Sequence, residues 1–171
     1  MKQVVLIAAI DVHYKDDGSA RAGAVVFNDF SDSEASRTYI KNILRVEDYV
    51  PGQFYRRELP CILAILDIIE EDIDTLIIDG YVDLGPKAGL GRYLWKALNG
   101  KIKIIGVAKK TFHGSDAIKV FRGASRQPLY ITAAGMERTT AAGLIAGMHG
   151  KYRLPSLIRQ ADALSRYGKD A

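Results

Sequence analysis

Five side chains have the type and setting for phosphate or metal chemistry: Asp11, Glu58, Asp79, Lys109 and Asp162. Asp11 closes the apolar run of IAAIDVHY, and Asp79 closes TLIIDG in the same way. An aspartate after a buried strand ordinarily opens a turn, and either residue taken alone reads so. As a pair they read differently. If the two strands are parallel neighbours, both carboxylates emerge at the carboxyl edge of one sheet, where open α/β sheets bind ligands. Two like charges one strand spacing apart are unfavourable unless a cation lies between them. Hard oxygen donors without a cysteine partner favour Mg2+ or Mn2+.

The remaining candidates each have a structural alternative. Glu58, in FYRRELP, stands at the start of an amphipathic helix, where a carboxylate is also welcome beside the helix dipole. Asp162, in RQADALSR, shares a helical face with Ile158 and Ser165 at the border of the apolar stripe, so a half-solvated structural role fits its spacing. Lys109, in GVAKK, follows a buried strand at the same edge and suits either a phosphate or plain solvent. DYVPGQFYRR interleaves Tyr49, Phe54 and Tyr55 with two arginines around a Pro-Gly turn. That mixture suits stacking on bases and gripping phosphates, or an aromatic anchor packed on the core. GLGRYL lacks the third glycine and the preceding strand of a dinucleotide fingerprint.

A scaffold for these residues is legible along the chain. Residues 4–10 read as a strand buried on both faces, and KDDG at 15–18 turns the chain into a second strand at 21–27. Residues 36–43 return as a third strand, with helix as the alternative. Leu59, Ile62, Leu63, Leu66 and Ile69 recur at helical spacing, which predicts a helix over 58–71 with Pro60 in its first turn. Further strands are predicted at 75–78, 102–107 and 129–132, and helices at 89–98, 139–148 and 156–167. The expected fold is α/β: a mixed sheet with its first three strands antiparallel and the later ones parallel, flanked by helices, in a single domain over residues 1–171.

The bulk properties narrow the class. With 171 residues, 48% of them hydrophobic, the chain suits one globular core and excludes disorder. No apolar stretch approaches the ~20 residues of a membrane span, and the N-terminus lacks a secretion signal, so no membrane partner is expected. Cys61 is the only cysteine, which precludes an internal disulfide and fits a reducing cytoplasm. The formal charge of +4 leans weakly towards polyanionic partners.

The segments IDVHY, YVPGQFYRREL, IIDG, GVAKK, PLYIT and YRLPSLIRQADALSR follow one another from near residue 8 to residue 166. Together they resemble the endonuclease V family, whose fold is ribonuclease H-like. The resemblance implies a metal-dependent nuclease acting on inosine, the product of adenine deamination, in DNA or RNA. Cleavage is implied one nucleotide further along, on the 3′ side of the lesion. At matching positions, Asp11 and Asp79 would bind Mg2+, with Mn2+ as a substitute, and Glu58 would complete the acidic cluster directly or through water. Asp162 would be a further active-site acid, and Lys109 the lysine near the scissile phosphate. Tyr49, Val50, Pro51 and Gly52 match the wedge loop that fills the gap left by the displaced base. Gly80, Gly89, Leu90 and Phe112 fall where the base pocket is lined. The expected partner is inosine-containing DNA or RNA, bound by a monomer.

The chain also departs from the family pattern. Tyr81 and Gly85 stand where histidines are usual, Lys87 replaces an arginine, and Asp48 replaces a proline at the head of the wedge loop. The segment between Gly114 and Pro128 is shorter than is typical. The acids are retained.

Overall fold

The computed structural model describes residues 5–169. Its elements are β1 (Leu6–Tyr14), β2 (Ala20–Phe27), β3 (Arg37–Ile43), α1 (Tyr55–Leu66), β4 (Ile73–Asp79), β5 (Asp83–Leu84), β6 (Lys87–Ala88), α2 (Leu90–Ala97), β7 (Lys103–Ala108), β8 (Ile118–Val120), β9 (Leu129–Ala134), α3 (Arg138–Ala146) and α4 (Ser156–Tyr167). Seven strands form one sheet in the order β3-β2-β1-β4-β7-β9-β8, while β5 and β6 make a small separate ribbon.

Side-chain alternation divides the core into two layers. Ile7 and Ala9 of β1, with Ile77 of β4 and Ile105 of β7, pack against α3 and α4. Ala8, Ile10, Leu76, Ile78 and Ile104 face the other way, onto α1 and α2. Strands covered on both sides must be apolar at every position, and this explains their unbroken hydrophobic runs.

The expected mixed α/β sheet is present, with antiparallel pairing through β1–β2–β3 and parallel pairing of β1 with β4 and β4 with β7. Residues 36–43 resolve as strand rather than helix. Parallel pairing stops at β7, because β9 runs antiparallel to it. No helix lies between β7 and β9; the chain first enters β8 at the sheet's edge, running the same way as β7, and then turns back into β9. Without a crossover helix the strand comes back in the opposite direction.

Two boundaries also move. The first strand does not end at Asp11, since residues 11–14 continue pairing with β2 after β4 has dropped out at Ile10↔Ile78. Helix α1 begins at Tyr55 and stops at Leu66, so Pro60 lies inside the helix instead of in its first turn. Pro60 and Arg56 are both exposed, which lets water satisfy the Arg56 carbonyl that loses its donor. Ile69 belongs to the turns after α1, where its amide donates to the Leu66 carbonyl.

Candidate active site

Strand register assembles the site. Ile10 pairs with Ile78, so Asp11 and Asp79 stand one residue further along on neighbouring strands. Alternation turns both toward the α4 side, in phase with Ala9 and Ile77. Asp11 is also paired with Gly23 of β2. A Cβ on Gly23 would lie 2.7–2.9 Å from Ser165 N, Leu164 Cβ and Ala161 O. Only glycine allows α4 to approach the sheet so closely there, and that approach brings Asp162 against Asp11.

The electrostatics follow from this crowding. Asp11 is raised to about pKa 8, first by burial, then by its hydrogen bond with Asp162 and the charges of Asp79 and Asp162. One stabilising contact, the Val12 amide donating to Asp11 Oδ1 at 2.9 Å, opposes the rise. Burial also pushes Asp162 upward, but its hydrogen bonds with Asp11 and Arg166 outweigh this and leave it lowered. The two acids therefore share one proton, held on Asp11 and donated to Asp162. Lys109 Nζ lies 3.3 Å from Asp79 Oδ2. These four residues, with Val107 and Ile158 beneath them, enclose a cavity of about 20 Å3, room for roughly one water.

Glu58 arrives from the opposite side of the sheet, on α1, and is 4% exposed. Burial raises it to about pKa 7; the Tyr14 hydroxyl opposes that rise and the charge of Asp79 adds to it. Tyr14 donates its hydroxyl proton to Glu58 Oε2. Burial, then the Glu58 charge, push the Tyr14 hydroxyl itself well above its ordinary range. The Arg57 guanidinium lies over the Tyr14 ring, 3.7 Å from its centroid.

Among the described residues, no group of three or more His, Cys, Asp or Glu side chains is gathered closely enough to hold an ion as it stands. The donor chemistry nevertheless fits a hard divalent cation: oxygen ligands only, with two acids raised by burial and by neighbouring negative charge. A proton shared with Asp162 and a tyrosine hydroxyl at Glu58 occupy the carboxylates instead.

The candidate nucleic-acid residues lie on adjoining loops. Tyr49 is 56% exposed, and Val50, Pro51 and Gly52 are exposed beside it just ahead of α1. Gly80 follows β4, and its carbonyl would sit 2.5 Å from a Cβ on Gly106 of β7. That second glycine lets the loop after Asp79 fold back across the sheet, where the Val82 amide donates to Thr132 Oγ1 at 2.9 Å. Gly89 is the N-cap of α2. Leu90 is buried in the α1–α2 core, so its side chain packs and does not line an open pocket. Phe112 is 40% exposed and stands 6.0 Å from Tyr81, ring centroid to centroid. Tyr81 occupies a position where a histidine was expected and donates its hydroxyl to the Lys110 carbonyl at 2.5 Å.

The structure thus brings Asp11, Asp79, Lys109 and Asp162 together and sets Glu58 behind them. Sequence reasoning missed Gly23 and the roles of Tyr14 at Glu58 and of Arg57 over the Tyr14 ring. A period-two reading of DVHY would have placed Tyr14 on the α1 side; nothing local marks Gly23 as the landing place of a distant helix.

A sequence profile of the endonuclease V family matches residues 1–135, a span that holds Asp11, Glu58, Asp79 and Lys109. Endonuclease V of Trichormus variabilis is 27% identical over 184 residues, covering 95% of this chain and 82% of the relative. In fold the chain is similar to Ciona intestinalis endonuclease V, solved in complex with a 24mer DNA containing an inosine followed by a ribo-adenosine. That match has a TM-score of 0.82 at 17% identity, over 97% of this chain and 86% of the other. The endonuclease V of Streptomyces avermitilis gives a TM-score of 0.78 at 24% identity, over 95% and 80%. With its profile match spanning most of its length, this chain belongs to the endonuclease V family.

Proposed function

We propose that this chain is a divalent-metal-dependent endonuclease that hydrolyses a phosphodiester bond on the 3′ side of inosine in DNA or RNA, as a repair reaction. The observation that carries the reading is the convergence of Asp11, Asp79, Asp162 and Lys109 at one sheet edge in a chain of this family. The Ciona relative's complex with inosine-containing DNA supports the choice of base.

Asp11 and Asp79 would hold Mg2+ or Mn2+, with Glu58 joining them directly or through water. A bound ion supplies an activated water and positive charge for the attacking and leaving oxygens. Asp162, beside Arg166, can accept a proton at Oδ1 or Oδ2 from the attacking water. Lys109 Nζ can exchange Asp79 for a phosphate oxygen and offset its growing charge. Tyr49, Val50, Pro51 and Gly52 would fill the gap left by an extruded base, while the backbone at Gly80 and Gly89 and the ring of Phe112 receive it. Extrusion costs a few kcal/mol, and least for a poorly paired base such as inosine. A monomer in a reducing cytoplasm is the setting this reading adopts, and no described helix is long and apolar enough to cross a membrane.

Tyr81 favours a second reading. Its ring and hydroxyl fill a position where family members are expected to carry a histidine, which suits a relative that binds nucleic acid but cuts weakly or with different substrate choice. Incubation with Mg2+ and labelled strands carrying one inosine separates the two. The first reading predicts a nick 3′ to inosine with wild type and none with Asp11→Ala. Binding without any nick selects the second.

A further inference from the structure

We propose that Arg153 is a positioning residue for Lys109, and that Arg122 holds Arg153 in place from within the core. The functional meaning of Lys109 rests on the nuclease reading above, but the brace itself does not.

Arg122 is 6% exposed, and it forms no ion pair with any carboxylate among the described residues. Its guanidinium binds backbone carbonyls instead. Nη2 donates to Met148 O at 2.6 Å and Gly150 O at 3.1 Å; Nη1 donates to Tyr152 O at 2.7 Å and Arg153 O at 3.3 Å. A buried cation without a counter-charge is tolerated only where dipoles converge on it. Here those dipoles all come from the segment between α3 and α4, so the same four bonds dictate that segment's path.

Arg153 leaves the end of this segment and points back to the sheet. Its Nη2 donates to the carbonyls of Lys109 and, at 2.7 Å, Pro128. Lys109 is the first residue after β7, and Pro128 the last before β9. The β7–β9 ladder ends at the pair Ala108↔Tyr130. One guanidinium therefore ties the two strands together just beyond their last ladder pair. It pins the backbone from which the Lys109 side chain reaches Asp79. The same segment leads directly into α4, which carries Asp162. Arg153 thus positions the Lys109 wall, while the path into the Asp162 wall is set by Arg122.

Positioning can be separated from general stability by coupling. In the intact protein, Arg153→Ala should lower kcat by ~10- to 100-fold, the scale of a ~1 Å misplacement, with little change in KM. Lys109→Ala should lower it as well, and Arg153→Ala added to Lys109→Ala should lower it no further. Multiplicative losses, or a loss confined to KM, would overturn the proposal. A second readout needs no activity: the amine resonance of Lys109 in metal-free protein, assigned with Lys109→Arg. It should shift in Arg153→Ala and stay near its wild-type position in Arg153→Lys, which keeps a cation for the same carbonyls. An unchanged resonance in Arg153→Ala would also overturn the brace. If wild type fails to cut at inosine, the nuclease reading falls while the resonance still decides the brace. If Arg153→Ala does not fold, Arg153→Lys against Arg153→Gln carries the same comparison.

Discussion

Removing the Asp11 charge should stabilise the metal-free protein at alkaline pH. The Asp11 carboxyl rises from 3.8 to about 8 in the folded chain, chiefly through burial, with Asp162 and Asp79 adding to it. Between those two values the folded state binds a proton that the unfolded state has lost. Stability therefore falls as pH rises through that window. From about pH 5 to about pH 8 the ceiling on that loss is ~4 kcal/mol, roughly three pKa units at ~1.36 kcal/mol each. Relaxation and water entry reduce buried-charge penalties, so about half of it, ~2 kcal/mol, is the figure to expect. For a domain of this size that is a fall of about 4–8 °C in melting temperature. Asp11→Asn keeps a hydrogen-bonding group beside Asp162 but cannot ionise. Thermal melts in chelator at both pH values should show the wild-type decline and a shallower one for Asp11→Asn, in which raised Glu58 still contributes to the loss. Mg2+ should restore wild type at the higher pH and leave Asp11→Asn unmoved. Equal pH slopes in the two proteins would refute the reasoning.

Three further substitutions probe the surrounding parts. Tyr14→Phe removes the donor to buried Glu58, so it should cost about 1–3 kcal/mol in denaturant melts and raise the Glu58 pKa, readable from its carboxyl resonance. Gly23→Ala forces a Cβ into the backbone of α4, so it should lower stability by about 1–3 kcal/mol. By loosening the Asp11–Asp162 hydrogen bond it should also flatten the pH dependence of stability, measured in the same melts. Tyr81→His releases the Lys110 carbonyl and should raise kcat/KM for inosine strands; an unchanged value would mean that Tyr81 does not limit turnover.

The parts of the fold set by local pattern were legible in the sequence. Helix α4 matches its expected bounds because its apolar stripe is flanked by Pro155 at the N-cap and by Gly168 in a left-handed conformation at the C-cap. The adjacency of Asp11 and Asp79 follows from two similar buried runs and the preference of parallel strands for helical crossovers. What escaped depends on distant contacts. The first turn of α1 looked polar, yet Tyr55 is held there by stacking on Tyr93 of α2, with centroids 3.9 Å apart. That stack moves Pro60 into the helix interior. The direction of β9 was misjudged because β8 is only three residues long and carries no strong alternation of its own. Gly23 and Arg122 act through backbone 26 or more residues away in the chain, on α4 and on the segment before it. Their importance exists only once the chain is folded.

The proposed nuclease activity requires Asp11 and Asp79 to share a divalent ion beside an inosine-containing strand. Anomalous diffraction from crystals of the Asp162→Asn protein grown with Mn2+ and such a strand tests it most directly. An Mn2+ peak is expected between the Asp11 and Asp79 carboxylates, next to the phosphate on the 3′ side of inosine. A strand bound with no peak there, or with Mn2+ held only by other residues, would contradict it.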